Sequence, residues 1–114
     1  MIRLKSVSKF YIKRENYMTY DEFILTIEND ELPPGLPLYL QALWYDGKGN
    51  WNKAHSLIDS LDDKSSCRVH AYLHRKEGDI ANADYWYRRA HAQRPSGSLQ
   101  QEWRDITTEL LLKS

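Results

Sequence analysis

The chain contains a short internal repeat, and this feature constrains its fold more than any other. Residues 49–54, GNWNKA, and residues 78–83, GDIANA, align at an offset of 29 positions. Each unit has a glycine, a helix-capping side chain, a large apolar residue and an alanine five positions after the glycine. The glycine lets the chain reverse between two helices, and small residues let the helices pack closely. The repeat therefore predicts two helical hairpins that stack, because one hairpin cannot bury its apolar face alone.

Apolar spacing and turn residues predict six helices. Thr19 and Glu22 have the spacing of a capping box before the first helix, and Asn50 and Asp79 stand where helix N-caps are needed. An apolar stripe spaced by four, three and four residues marks the last helix. The predicted ranges are 19–30, 37–47, 50–61, 65–77, 79–93 and 98–112.

The second unit resembles the tetratricopeptide repeat family. Residues 71–90, AYLHRKEGDIANADYWYRRA, are similar to the family consensus from its first helix through the Gly-Asp turn, and Pro95 closes the unit. Residues 38–61 are less similar, because Leu61 stands where a small residue is usual. The offset of 29 is also shorter than the family's usual period of roughly 34 residues.

This resemblance covers about residues 37–95 and implies an all-α fold, a right-handed stack of antiparallel helical hairpins with N- and C-terminal capping helices. Residues 18–114 would form this single TPR-like domain, with hairpins at about 37–61 and 65–93 and a capping helix at about 98–112. Residues 1–17 are expected to be a basic arm, or an extension upstream of a start at Met18.

Composition limits the function classes. The 114 residues suit one domain, and 16 basic against 16 acidic residues give zero net charge, which argues against electrostatic binding to nucleic acid or an anionic membrane. A lone cysteine, no secretory pattern and no long apolar run predict a cytoplasmic protein without a membrane span. The charge is nevertheless segregated: residues 19–63 carry −7 and residues 64–94 carry +4.

Members of the family typically bind a peptide in the groove lined by the first helix of each hairpin. The resemblance places these positions in that groove: Tyr39, Leu43, Asp46, Arg68, Tyr72, Arg75 and Lys76. Three cations beside an aromatic side chain suit an acidic segment, because arginine binds carboxylates in a bidentate manner. The alternative is an ordinary solvated face that pairs with the acidic residues of 19–63.

Cys67, His70 and His74 are spaced so that they share one face of a helix, and thiolate and imidazole are ligands that zinc accepts. Further ligands could come only from His55 or His91. The alternative is that these side chains pack inside the hairpin, where the family has apolar or aromatic residues. We expect no bound metal or cofactor on this basis.

Three consecutive aromatic residues, Tyr85, Trp86 and Tyr87, span about 200° of a helix and cannot all face one core. Tyr87 is predicted to pack inside its hairpin. Tyr85 or Trp86 is predicted to pack on the last helix through Trp103, with an oligomer contact as the alternative.

The sequence has no nucleophile motif, phosphate-binding loop or paired-acid constellation, so we do not expect an enzyme. It predicts a small protein–protein interaction module that binds a peptide or partner, acidic in character, in a helical groove. Two other interpretations stay open: a metal-binding or acid–base enzyme that uses Cys67, His70 and His74, and a self-associating structural protein or homo-oligomer.

Overall fold

A computed structural model describes residues 18–113, and these residues form six α-helices without a strand. The helices are α1 (Tyr20–Glu28), α2 (Leu38–Gly47), α3 (Trp51–Ile58), α4 (Lys64–Lys76), α5 (Ile80–Arg89) and α6 (Leu99–Lys113). The all-helical prediction is confirmed for this part of the chain, and every predicted helix is present. The predictions for residues 1–17 lie outside the described residues.

The helix starts follow from local side-chain chemistry. Thr19 Oγ1 accepts from the backbone N–H of Glu22 at 3.1 Å, and the Glu22 carboxylate accepts from the Thr19 N–H at 2.9 Å. This reciprocal pair is the predicted capping box. Asn50 and Asp79 cap α3 and α5 in the same manner, each accepting from the backbone N–H three residues later. The predicted caps are therefore confirmed.

Two antiparallel hairpins make up the centre of the molecule. Helix α2 packs along α3, and α4 packs along α5, with α4 also lying against α2 and α3. Gly49 and Gly78 have φ values of 85° and 90°, in the left-handed region that favours glycine at these tight turns. The small residues of the repeat are fully buried between the paired helices, as close packing requires: Ala42, Ala54, Ala71 and Ala83.

Helix α6 packs against α2 and α4, the first helices of both hairpins, and α1 packs against α6. The sequence predicts a helix that closes one end of the stack, so the observed position is different. An apolar stripe on α6 enters the same core as both hairpins. The largest fully buried side chains of that core are Phe23, Leu40, Leu43, Leu73, Ile58 and Ile106.

Among residues 18–113, no helix has both the length and the apolar character that crossing a bilayer requires.

Candidate functional site

The basic residues predicted to bind an acidic partner are paired within the chain. Arg75 donates to Glu102 Oε1 at 2.7 Å, and Arg68 donates to Glu109; both carboxylates belong to α6. Lys76 donates to Asp46 Oδ1 of α2 at 2.9 Å. The acidic segment that meets the two arginines is therefore the chain's own C-terminal helix.

The aromatic and apolar residues of the predicted groove are also largely covered. Leu43 is fully buried and offers no contact area to a partner in this conformation. Tyr39 is half-buried and packs against the core. Of the predicted groove residues, Asp46, Tyr72 and Lys76 border an open cleft, which is described below, although Asp46 and Tyr72 are largely buried there.

A buried polar network joins α4 to its neighbours on this side. The Tyr72 hydroxyl donates to Asp46 Oδ2 at 3.1 Å, and the Tyr87 hydroxyl donates to Glu102 Oε2 at 2.5 Å. Burial raises the pKa of both tyrosines, and the carboxylate beside each one raises it further. Tyr87 lies inside its hairpin, as predicted.

Glu102 was not among the predicted site residues, although its side chain is only 4% exposed. A signal was present in the sequence: Glu102 lies four residues before the buried Ile106 and three after Leu99, on the apolar stripe of α6. A carboxylate in such a stripe indicates a buried partner cation, which is Arg75.

An open cleft of about 660 Å³ lies between α1, the C-terminal ends of α2 and α4, and the first turns of α6. Its apolar lining consists of Ile24, Ile27, Leu99 and Trp103. Trp103 packs edge-on against Tyr20 of α1, with ring centroids 6.1 Å apart. Charged and polar groups, among them Lys76 and Glu28, stand at the rim.

Three histidines meet between α3 and α4. His70 and His74 come from α4, as their helical spacing predicts, and the third is His55 of α3. One nitrogen from each ring can be chosen so that all three nitrogens lie within 4.8 Å of one another. His55 Nε2 and His70 Nε2 are 3.1 Å apart. Cys67, the other candidate ligand in the sequence, is fully buried and lies outside this cluster, whose third member is His55.

Aromatic rings flank the histidine cluster on two sides. Trp51 stacks on His55 with ring centroids 4.9 Å apart, and Trp86 stacks on His70 at 3.9 Å. The predicted contact of Trp86 with Trp103 is therefore wrong, because the Trp86 ring lies against α4 and Trp103 lies against α1. Tyr85 packs edge-on against Trp86 and stays exposed.

Two rings of the cluster, those of His55 and His70, favour the neutral form. Burial is the main cause that lowers the pKa of His70, to about 4, and the neighbouring His74 and His55 lower it further. Burial also lowers the pKa of His55, with His74 as the next cause. Neutral imidazole is the form that accepts hydrogen bonds and binds metal ions.

The structure thus offers two separate places for chemistry: a cleft with an apolar floor and a charged rim, and a cluster of three histidines between the hairpins. No protein-family model, curated protein or solved structure matches the chain.

Proposed function

We propose that the chain is a small protein-interaction module of TPR-like architecture, a right-handed stack of two helical hairpins that binds a peptide segment of a partner protein. The paired hairpins with their Gly-Asn and Gly-Asp turns support this architecture. The observation that carries the functional proposal is the open cleft beside the first helices of the two hairpins. Its volume of about 660 Å³ lies within the range of roughly 300–1,000 Å³ typical of ligand sites.

The cleft is a better binding surface than the arginine face of α4. Binding an acidic peptide to Arg68 and Arg75 would require the displacement of α6, whose Ile106 and Leu110 belong to the common core. Losing that burial costs about 1.5–3 kcal/mol for each large apolar side chain. The cleft is open without any such rearrangement.

The lining defines the chemistry of the bound segment. Ile24, Leu99 and Trp103 favour an apolar side chain, since they remove it from water and offer an aromatic face. The Lys76 side chain is 38% exposed at the rim. Its ammonium group carries three donors, and Asp46 accepts from one of them. We therefore expect a peptide with an apolar residue next to an acidic one, the latter approaching Lys76.

A peptide-display selection on the full chain tests this proposal. The expected result is enrichment of peptides that share an apolar residue beside an acidic residue. Synthetic copies of these peptides should bind Ile24→Arg at least tenfold more weakly than the wild type, because the arginine fills the cleft with charge. Lys76→Glu should weaken binding several-fold and should affect the acidic peptides most.

Ile80→Arg is the matched control. Ile80 is an exposed isoleucine on α5, away from the cleft, so its substitution should leave peptide affinity within twofold of the wild type. Circular dichroism melts of all variants separate loss of binding from loss of folding. Enriched peptides that bind Ile24→Arg as well as the wild type, or a selection without a shared pattern, would contradict the proposal.

A further inference from the structure

We infer that His55, His70 and His74 form a binding site for a first-row transition metal ion, with Zn²⁺ the best match. Three imidazole nitrogens from two helices converge within 4.8 Å of one another. Imidazole suits zinc, copper, nickel and iron, whereas magnesium and calcium prefer oxygen ligands. This site is independent of the proposed peptide cleft.

The spacing of the nitrogens fits a tetrahedral ion. Zinc binds histidine nitrogen at about 2.0–2.1 Å, so two such ligands at a tetrahedral angle lie about 3.3 Å apart. The His55 Nε2 to His70 Nε2 distance of 3.1 Å is close to this value. The ring centroid of His74 lies 4.8 Å from that of His70 and 5.2 Å from that of His55, so the third ring lies beside the other two.

A neighbouring carboxylate orients one ring of the cluster. Glu77 Oε2 lies 2.7 Å from His74 Nδ1, and a carboxylate only accepts, so this Nδ1 carries a proton and Nε2 is the atom that can face an ion. Asn82 Nδ2 lies 3.4 Å from His74 Nε2, and an ion would replace this contact. Carboxylate–histidine pairs of this kind orient the ligands of many metal sites.

His70 shows that the cluster is not completed by hydrogen bonds. Its side chain is buried, and its Nδ1 has no hydrogen-bond partner among the described residues. The ring makes its polar contact through Nε2 to another histidine. The observation that points to a cation is therefore the gathering of three imidazole rings. Coordination of His70 Nε2 would replace its contact with His55 and would leave Nδ1 as the N–H of this ring.

The cluster also has an entry side. The His55 side chain is 25% exposed, whereas that of His74 is 8% exposed, so an ion can approach past His55. Three protein nitrogens leave the fourth tetrahedral position to water. That ligand count is the one found in zinc sites with an open position, as distinct from closed structural sites.

Titration of the chelator-treated full chain with ZnCl₂, followed by isothermal titration calorimetry, tests the inference. We expect one Zn²⁺ per chain and a rise in the melting temperature with Zn²⁺ concentration, because an ion that binds the folded state stabilises it. Co²⁺ should give the intense visible absorption of a tetrahedral site. X-ray absorption should report histidine nitrogen as the main protein ligand.

The variants separate this site from adventitious binding. His55→Gln and His74→Gln should weaken Zn²⁺ binding at least 100-fold, and Glu77→Gln about 10-fold, since outer carboxylates typically contribute 10- to 100-fold. His91→Asn and Cys67→Ala should leave affinity within threefold of the wild type. His91 is exposed with a left-handed φ of 57°, which asparagine tolerates, and Cys67 lies outside the cluster.

His55 is only partly buried, so its variant keeps the test decisive even where His70 variants fail to fold. Absence of stoichiometric Zn²⁺ binding by the wild type would overturn the inference. Binding that survives both His55→Gln and His74→Gln would overturn it equally, since the ion would then lie elsewhere on the chain.

Discussion

Helix α4 carries polar side chains on two sides, and the two sides differ in how completely they are paired. Towards α6 and α2, the charged groups of Arg68, Arg75 and Lys76 each meet a carboxylate. Towards α3 and α5, His70 and His74 meet a third histidine, and one buried ring nitrogen has no partner in the described residues. Each cation of the first side already has a carboxylate partner, whereas the second side gathers imidazole nitrogens without an acidic partner for each.

This difference distinguishes polar groups that stabilise the fold from polar groups that can bind a ligand. A buried ion pair with satisfied hydrogen bonds fixes how α6 docks, and its conversion into a binding surface would leave charges uncompensated. Imidazole nitrogens gathered in a partly open cluster are ligand atoms that a cation can use. Paired charge on a helix face is therefore a weaker sign of binding here than three gathered imidazoles.

The largest expected effect is on the paired side. Glu102→Gln removes the charge that compensates Arg75 and weakens the acceptor of the Tyr87 hydroxyl. Breaking a buried pair by removing one partner costs about 3–5 kcal/mol when both are fully buried. Because the Arg75 side chain stays 15% exposed, we expect a loss of about 2–4 kcal/mol in the free energy of unfolding, measured by urea denaturation.

Glu109→Gln is the matched control for this prediction. Glu109 pairs with Arg68 on the same two helices, but its side chain is 59% exposed against 4% for Glu102. An exposed pair contributes about 0–1 kcal/mol. Equal losses in the free energy of unfolding for the two variants would show that burial does not strengthen the Arg75–Glu102 pair.

The next effect concerns the histidine side and acid pH. The pKa of His70 is lowered to about 4 in the folded chain by burial and by its neighbours His74 and His55, against a weaker opposing contribution from Asp59. The unfolded chain binds this proton near pH 6.5, so stability is complete above that pH and falls as the pH drops towards 4. We expect a loss on the order of 1–3 kcal/mol across this window for chelator-treated protein.

Urea denaturation at several pH values measures this loss, and His70→Gln should flatten the curve because glutamine does not titrate. The result would go against the expectation if the slope between pH 6.5 and 4 were the same in the variant. In that case the acid sensitivity would belong to the carboxylates of the α4–α6 contact.

The smallest expected effect concerns the paired side at alkaline pH. The pKa of Tyr87 is raised by burial and by Glu102, so the folded chain keeps this proton where the unfolded chain loses it. Stability is fully present below pH 10 and is lost above it, by about 1 kcal/mol per pH unit for one such group. Tyr87→Phe should remove this part of the alkaline loss in thermal melts between pH 9 and 11. An unchanged alkaline slope would show that the hydroxyl does not titrate with unfolding.

Local features could be predicted from the sequence because they depend on neighbouring residues. The capping box at Thr19, the caps at Asn50 and Asp79, and the glycine turns each involve contacts over three to five positions. The pairing of α2 with α3 and of α4 with α5 followed from the repeat. When a short turn joins two helices, the second helix buries its apolar side chains against the first.

The candidate site was only half predictable. His70 and His74 lie on one helix, so their spacing placed them together, and the same spacing wrongly added Cys67. His55 lies 15 residues before His70 in the sequence. Only the packing of α3 on α4 brings the Nε2 atoms of the two rings to a distance of 3.1 Å. Spacing along one helix says nothing about which residue of another helix faces it.

The sequence by itself determined the helices, their caps and the two hairpins, because periodicity and turn chemistry are local. Only the tertiary structure decided that α6 lies across both hairpins, where its carboxylates occupy the arginines. The apolar stripe of α6 predicts that one face of this helix is buried, but it does not predict against which surface. Several surfaces could bury that stripe, and the observed one also pairs the buried Glu102 with Arg75, so neither of these two charges is left alone.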